Sequence, residues 1–205
     1  MSTSGGRPRN RRGDGALLRE EIVRGAGRLL EETGSEDAVT LRAIARTVGI
    51  AAPSIYAHFP DRESVLLAVV QDAFADLGRA MTMVDEADPV ARLRAVCAAY
   101  LDFALTRPAR YRVLFGGAWS AARAQETPTV AADAATVGFD VFDVLVRAVR
   151  DCADAGRSTG TDPFADATAL WAGLHGLAAL RPVTPMFPWP DGVLDRLVDR
   201  LVLLT

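Results

Sequence analysis

Residues 40–59 read TLRAIARTVGIAAPSIYAHF, and the punctuation of this stretch decides the fold. Thr40 offers a hydroxyl to the free N–H groups of a helix start. Leu41, Ile44, Ala45 and Val48 then recur at i, i+3, i+4 and i+7, the spacing of one apolar helical face. Gly49 supplies the left-handed residue that ends such a helix. Pro53 suits the first turn of a second short helix over 52–58, with Ile50, Ile55 and Phe59 able to point back into a shared core. A pair of short helices joined across Val48-Gly49-Ile50 predicts a helix-turn-helix over 40–59. The second helix of such a motif enters the major groove of DNA. Ser54, Tyr56 and His58 add polar groups, beside Arg62, that a purely structural hairpin would not need.

Outward from this stretch, nearly every segment keeps a helical period and none alternates as a strand. Upstream, 16–33 places Leu18, Ile22, Ala26, Leu29 and Leu30 on one face and stops at Gly34. Gly25 and Gly27 inside it each cost roughly 1 kcal/mol against Ala, so packing must hold this helix. Downstream, Pro60 and Asp61 open a long helix through Leu77, and Asp88-Pro89 opens another that Arg107-Pro108 breaks. A short helix carries Tyr111, Leu114 and Phe115. Thr127-Pro128 is expected to open one long helix to about Cys152, and Asp162-Pro163 a second one ended by Pro182. A last helix covers about 191–204. The expected fold is all-α with nine or ten helices. A disordered Arg-rich arm covers 1–15, a DNA-binding domain 16–78, and a ligand-binding and dimerisation domain 79–205.

Charge is divided along the chain. Residues 1–62 hold ten Arg against eight acids, and the remainder thirteen against eighteen. The first twelve residues carry Arg7, Arg9, Arg11 and Arg12 and no acid, which fits a basic end meeting phosphate, in an adjacent minor groove. No apolar run approaches the ~18 residues of a membrane span, so a cytoplasmic protein without membrane contact is expected. Cys97 and Cys152 sit in apolar helical patterns and lack metal-ligand spacing with the two His. Neither a metal nor another cofactor is expected. Without a phosphate loop, nucleophile elbow or framed carboxylate pair, an enzyme is not expected either.

Residues 17–77 resemble the DNA-binding domain of the TetR (tetracycline repressor) family. The likeness rests on Glu32-Thr33-Gly34, Thr40-Leu41-Arg42-Ala43-Ile44-Ala45 and Val48-Gly49-Ile50. Ser54-Ile55-Tyr56-Ala57-His58-Phe59 and Asp61-Arg62-Glu63-Ser64-Val65-Leu66 complete it. Trp171-Ala172-Gly173-Leu174-His175-Gly176 is similar to the Trp…His-Gly signature of one subgroup's C-terminal domain. The resemblance implies a regulator, usually a repressor, that leaves a palindromic double-stranded operator when a small effector binds. It assigns Thr40 to a phosphate and Arg42 to a base edge, with Ala51, Ala52 and Pro53 at the groove-facing start of the recognition helix. Tyr56, His58 and Arg62 match phosphate-contacting positions, and Ser54 adds a polar group on that helix.

Beyond residue 78 the residues suggest an apolar or aromatic effector between helices. Phe74, Tyr100, Phe103, Tyr111, Phe115, Trp119, Phe139, Trp171 and His175 are the candidate lining. Palindromic sites need a two-fold partner. In the family the last long helices build that dimer, here about 128–153 and 163–181, so pocket and interface both claim Trp171. The alternatives are a helical ligand-binding protein without DNA function and a helical enzyme using His175.

Overall fold

The computed structural model describes residues 14–117 and 119–205, and among them the only regular elements are helices. The ten α-helices are α1 (Asp14–Thr33), α2 (Leu41–Val48), α3 (Arg62–Thr82), α4 (Pro89–Thr106), α5 (Pro108–Phe115), α6 (Ala121–Gln125), α7 (Ala131–Ala134), α8 (Phe139–Asp154), α9 (Pro163–Val183) and α10 (Val193–Leu201). Two 3-10 helices, Glu36–Ala38 and Ala52–Ala57, stand on either side of α2. None of the described helices is long and apolar enough to cross a membrane. The arm with Arg7, Arg9, Arg11 and Arg12 lies outside the described residues.

The chain forms two compact units, one drawn from Met1–Val69 with Ala118–Ala135, the other from Val70–Gly117 with Thr136–Thr205. The division therefore falls inside α3 rather than after residue 78, and the first unit takes back a segment assigned by sequence to the second. Polar ties explain that return. Arg123 pairs with the buried carboxylate of Glu36, the Ser120 N–H donates to the same carboxylate at 3.2 Å, and Thr129 donates to Asp61 at 2.6 Å. Such contacts, 68 and 84 residues apart, leave no trace in local periodicity.

In the first unit Ile22, Ala26, Leu30, Val39, Ile44, Ile55 and Val65 are fully buried. Gly25 is explained by packing: a Cβ there would meet a Val48 methyl at 2.6 Å, so α1 and α2 approach where only glycine fits. In the second unit α4, α8, α9 and α10 enclose a core that includes Leu93, Cys97, Leu170, Leu174 and Val198. Burial pushes the Cys97 thiol up to about 12, so it stays a neutral packing group. Arg94 ties α4 to α10 through Asp195 at 2.8 Å and Asp199.

Three expected helix boundaries change. The single helix from 128 to 152 is broken into α7 and α8, because Gly138 adopts a φ of +87° and a Cβ on it would strike Phe74 at 2.7 Å. α9 runs past Pro182 to Val183; Pro182 brings no N–H to the ladder of the last turn, and the helix ends one residue later. The final helix shortens to α10, after which Ser158 and Leu204 form an isolated bridge.

Candidate nucleic-acid interface and ligand cavity

In the first unit the segment around Ala51–His58 leaves most of its side chains outside the core. Thr40 caps α2, its hydroxyl accepting from the Ala43 N–H at 3.1 Å, and Gly49 closes the helix at a φ of +75°. The segment after the turn is a 3-10 helix rather than an α-helix. With three residues per turn, side chains at i and i+3 eclipse, so a single inward column suffices to hold it. Ile55 is that anchor at 0% exposure, followed by Phe59, which packs under the Arg19 guanidinium at 4.8 Å. Ala51, Pro53 and Ser54 are left exposed, Ala52 and His58 half-buried, and Tyr56 is 60% exposed. Tyr56 is therefore no core residue.

Arg42 is exposed on α2 and shares a shallow concavity with Ala45, Arg46, Ile50 and Ala52. Sequence reasoning missed Arg46. The signal was there, since four residues from Arg42 places it on the same face. Arg24, Arg28 and Thr47 line a second groove beside α2, also unremarked in sequence. Arg62 has a structural role that its place in the motif does not announce. Its Nε donates to the Val39 carbonyl at 2.9 Å, one terminal nitrogen to the Glu36 carbonyl, and the other to Glu63 at 2.6 Å. The guanidinium is thus engaged in fastening the turn before α2. Asp61 next to it accepts from the Ser64 N–H at 2.8 Å and hydroxyl at 2.7 Å. Partial burial pushes its carboxyl up, but hydrogen bonds from Thr129 and Ser64 outweigh this and hold it below the ordinary range.

The second unit turns its aromatics inward around a cavity of about 360 Å³. Phe74, Tyr100, Phe115, Phe139 and Trp171, all named from sequence, line it. Leu77 and Met81 of α3, Val96 of α4, Val141, Phe142 and Leu145 of α8, and Phe164, Thr168 and Leu174 of α9 join them, with Val137 and Gly138 closing the wall. Among the described residues that line it, none is charged. The Thr168 hydroxyl is already bonded to the Phe164 carbonyl at 2.8 Å, which leaves the Tyr100 hydroxyl and the Trp171 indole as the polar side-chain groups of the lining not committed to a backbone carbonyl.

Four sequence candidates do not line this cavity. Phe103 is 2% exposed in the core, with the Arg107 guanidinium over its ring at 5.5 Å. Trp119 belongs to the segment that joins the first unit. Tyr111 and His175 stand one step behind the wall. Their side chains meet at 2.7 Å between the Tyr111 hydroxyl and His175 Nδ1, and Tyr111 meets the Tyr100 hydroxyl at 2.9 Å. Phe115 packs at the centre of this group, 5.0 Å from the Tyr111 ring and 5.2 Å from His175. Burial pushes the Tyr100 hydroxyl up, reinforced by Tyr111 and opposed by Trp171; burial likewise raises Tyr111, against its bond to Tyr100. Both phenols keep their protons. Behind the cavity, α5 is pinned to α3 by Arg110, which pairs with Asp76 at 3.0 Å and with Asp72.

Two family models match the chain: "Bacterial regulatory proteins, tetR family" over residues 22–69, and "Tetracyclin repressor-like, C-terminal domain" over residues 93–204. A solved protein of unknown function from Rhodococcus sp. RHA1 is 27% identical with a TM-score of 0.74, over 91% of this chain and 94% of that one. SmeT, the repressor of the Stenotrophomonas maltophilia multidrug efflux pump SmeDEF, is 25% identical with a TM-score of 0.62, over 92% of this chain and 88% of that one. The nucleoid occlusion factor SlmA of Escherichia coli K12 is 28% identical over 102 residues, 49% of this chain and 52% of SlmA. The chain thus spans about half the length of the curated relatives it matches. With an N-terminal model on the helix-turn-helix and a C-terminal model over more than half of its length, the chain belongs to the TetR family of DNA-binding transcriptional regulators.

Proposed function

We propose that this regulator is a repressor that binds a palindromic operator as a homodimer and leaves it when an uncharged, largely aromatic small molecule fills the cavity of the second unit. The observation that carries the reading is the cavity wall itself, made of hydrocarbon and aromatic side chains without a charge. A charged metabolite would lose its hydration there without a partner, at a cost of several kcal/mol. SmeT is by name the repressor of an efflux pump, which supports the same mode of action.

On the DNA side, Arg42 and Arg46 carry the base-edge and phosphate contacts of α2, and Thr40 adds a phosphate contact while it caps the helix. Ala51, Ala52 and Pro53 bring the backbone close and offer only apolar contact, for example to thymine methyls, with Ser54 as the hydroxyl beside them. Tyr56 and His58 hold register on the backbone. The partner helices are α8 and α9. Phe164, Leu180 and Val183 of α9 are 63%, 50% and 72% exposed, an apolar face of the kind that marks an interface. Trp171, 37% exposed and also on the cavity wall, serves both surfaces. An enzyme using His175 has less support, since its Nδ1 is held by Tyr111 rather than by an acid.

The test is a gel shift on the chain's own upstream region with and without a panel of apolar aromatics. The proposal expects a retarded complex that such compounds dissolve and anionic analogues leave intact. Retardation unaffected by every apolar compound, or abolished by the anions, would contradict it.

A further inference from the structure

The polar line behind the cavity has a direction that can be reversed. Tyr111 Oη lies between Tyr100 Oη at 2.9 Å and His175 Nδ1 at 2.7 Å, and of the three residues only Tyr100 borders the cavity. A hydroxyl has one proton to give. When His175 accepts at Nδ1, Tyr111 donates there and must accept from Tyr100, whose proton is then spent. Tyr100 shows the cavity lone pairs only. When Nδ1 carries a proton, Tyr111 accepts from it and donates to Tyr100, which is freed to turn its own proton toward the cavity. An imidazolium carries a proton on both nitrogens, so it enforces the second arrangement.

We propose that Tyr100, Tyr111 and His175 form a relay through which the protonation of His175 sets whether the cavity wall offers a hydrogen-bond acceptor or a donor. The inference rests on the reading of the cavity as the effector site. It specifies the ligand further: an apolar molecule with one polar atom, selected as a donor when His175 accepts and as a carbonyl-like acceptor when His175 is charged. Tyr100 is the specificity-determining contact, and His175 is a positioning residue acting through Tyr111.

Among the described residues that meet His175 through a hydrogen bond or a ring contact, Tyr111 on α5 titrates, with Tyr100 on α4 one hydrogen bond further away; the other rings against it, Phe115 and Trp171, do not titrate. The charges of α5 point elsewhere, Arg110 to Asp72 and Asp76 of α3 and Arg112 to solvent. Just past α4, Arg107 lies over Phe103, and Asp102 of α4 is exposed. On α8, Asp140, Asp143, Arg147, Arg150 and Asp154 are exposed and Asp151 pairs with Arg92 of α4. On α10, Asp195 and Asp199 pair with Arg94 of α4, and Arg196 and Arg200 are exposed. His175 is itself half-buried, so protons reach it from solvent.

Three tricyclic probes of one shape test the relay: fluorene with neither group, 9-fluorenone with an acceptor, and carbazole with a donor. Their affinities for the full chain would be measured from about pH 8 down to about pH 5. The 9-fluorenone affinity should rise relative to carbazole by roughly three- to tenfold, the scale of one net hydrogen bond. Fluorene corrects for any general effect of pH. Tyr111→Phe and His175→Leu should each abolish the shift in ratio, and fluorene titrations of both variants report whether the cavity has survived. A flat ratio with bound fluorene overturns the relay alone, as does a shift that persists in Tyr111→Phe. Failure of fluorene to bind the unmodified chain overturns the cavity reading, and the relay with it.

Discussion

The two units use helices for opposite ends. In the first, a few aliphatic anchors such as Ile44 and Ile55 are wholly buried so that arginines and small polar groups can face outward. In the second, rings from α3, α4, α5, α8 and α9 face inward and leave a space unfilled. A reading surface needs its backbone held and its side chains free, whereas a sensing cavity needs its side chains held and its middle empty. Under the proposed function the same substitution is expected to have different consequences in each: loss of an anchor should remove the DNA-reading geometry, and loss of a wall residue should retune what binds.

The largest effect should follow from breaking the anchor. Ile55→Ala empties a fully buried site and is expected to cost about 2–5 kcal/mol, read by urea denaturation, with loss of the gel shift. Gly138→Ala comes next in the second unit. Its φ of +87° and the Phe74 ring 2.7 Å from a new Cβ combine backbone strain with overpacking, about 1–3 kcal/mol in thermal unfolding, together with weaker binding of apolar ligands.

A sharper contrast lies within the first unit. Arg42→Ala should cost about 1–3 kcal/mol of operator binding without changing stability. Arg46→Ala should reduce the salt slope of binding by about one ion. Arg62→Ala should instead lower the unfolding midpoint and leave the salt slope intact, because its guanidinium is fastened to Val39, Glu36 and Glu63. Titrations of the three variants against salt, paired with melting curves, separate these roles.

The smallest effect concerns acid. Asp61 has a folded-state carboxyl held below its ordinary 3.8 by Thr129 and Ser64, so its contribution to stability is present above 3.8 and is lost as pH falls below it through the lower folded-state value. Asp61→Asn should flatten the acid limb of a plot of melting temperature against pH, while leaving the neutral region with a modest, pH-independent loss.

What was legible in the sequence follows the range of the interaction. Thr40, Asp88 and Asp162 cap helices through their own neighbours, so their positions announce three helix starts directly. Gly138 was hidden, because a glycine in an apolar helical pattern does not reveal the sign of its φ or the ring lying against it. Trp119 was placed in the wrong unit, since the ties from Glu36 and Asp61 to 120–129 cross more than sixty residues. The sequence also named Phe103, Tyr111 and Phe115 as candidate lining, but not which of them meets empty space and which meets another side chain. The fastening role of Arg62 was hidden, because nothing local shows that the Val39 and Glu36 carbonyls await it.

The most direct test of the account is a hydroxyl-radical footprint on the upstream duplex. Two outward-facing Ala52–Ala57 segments related by a two-fold axis predict paired protections centred about one helical turn, roughly 34 Å, or a multiple of it apart, removed by Arg42→Ala combined with Arg46→Ala. A single unpaired protection, or a paired footprint indifferent to both arginines, would contradict it.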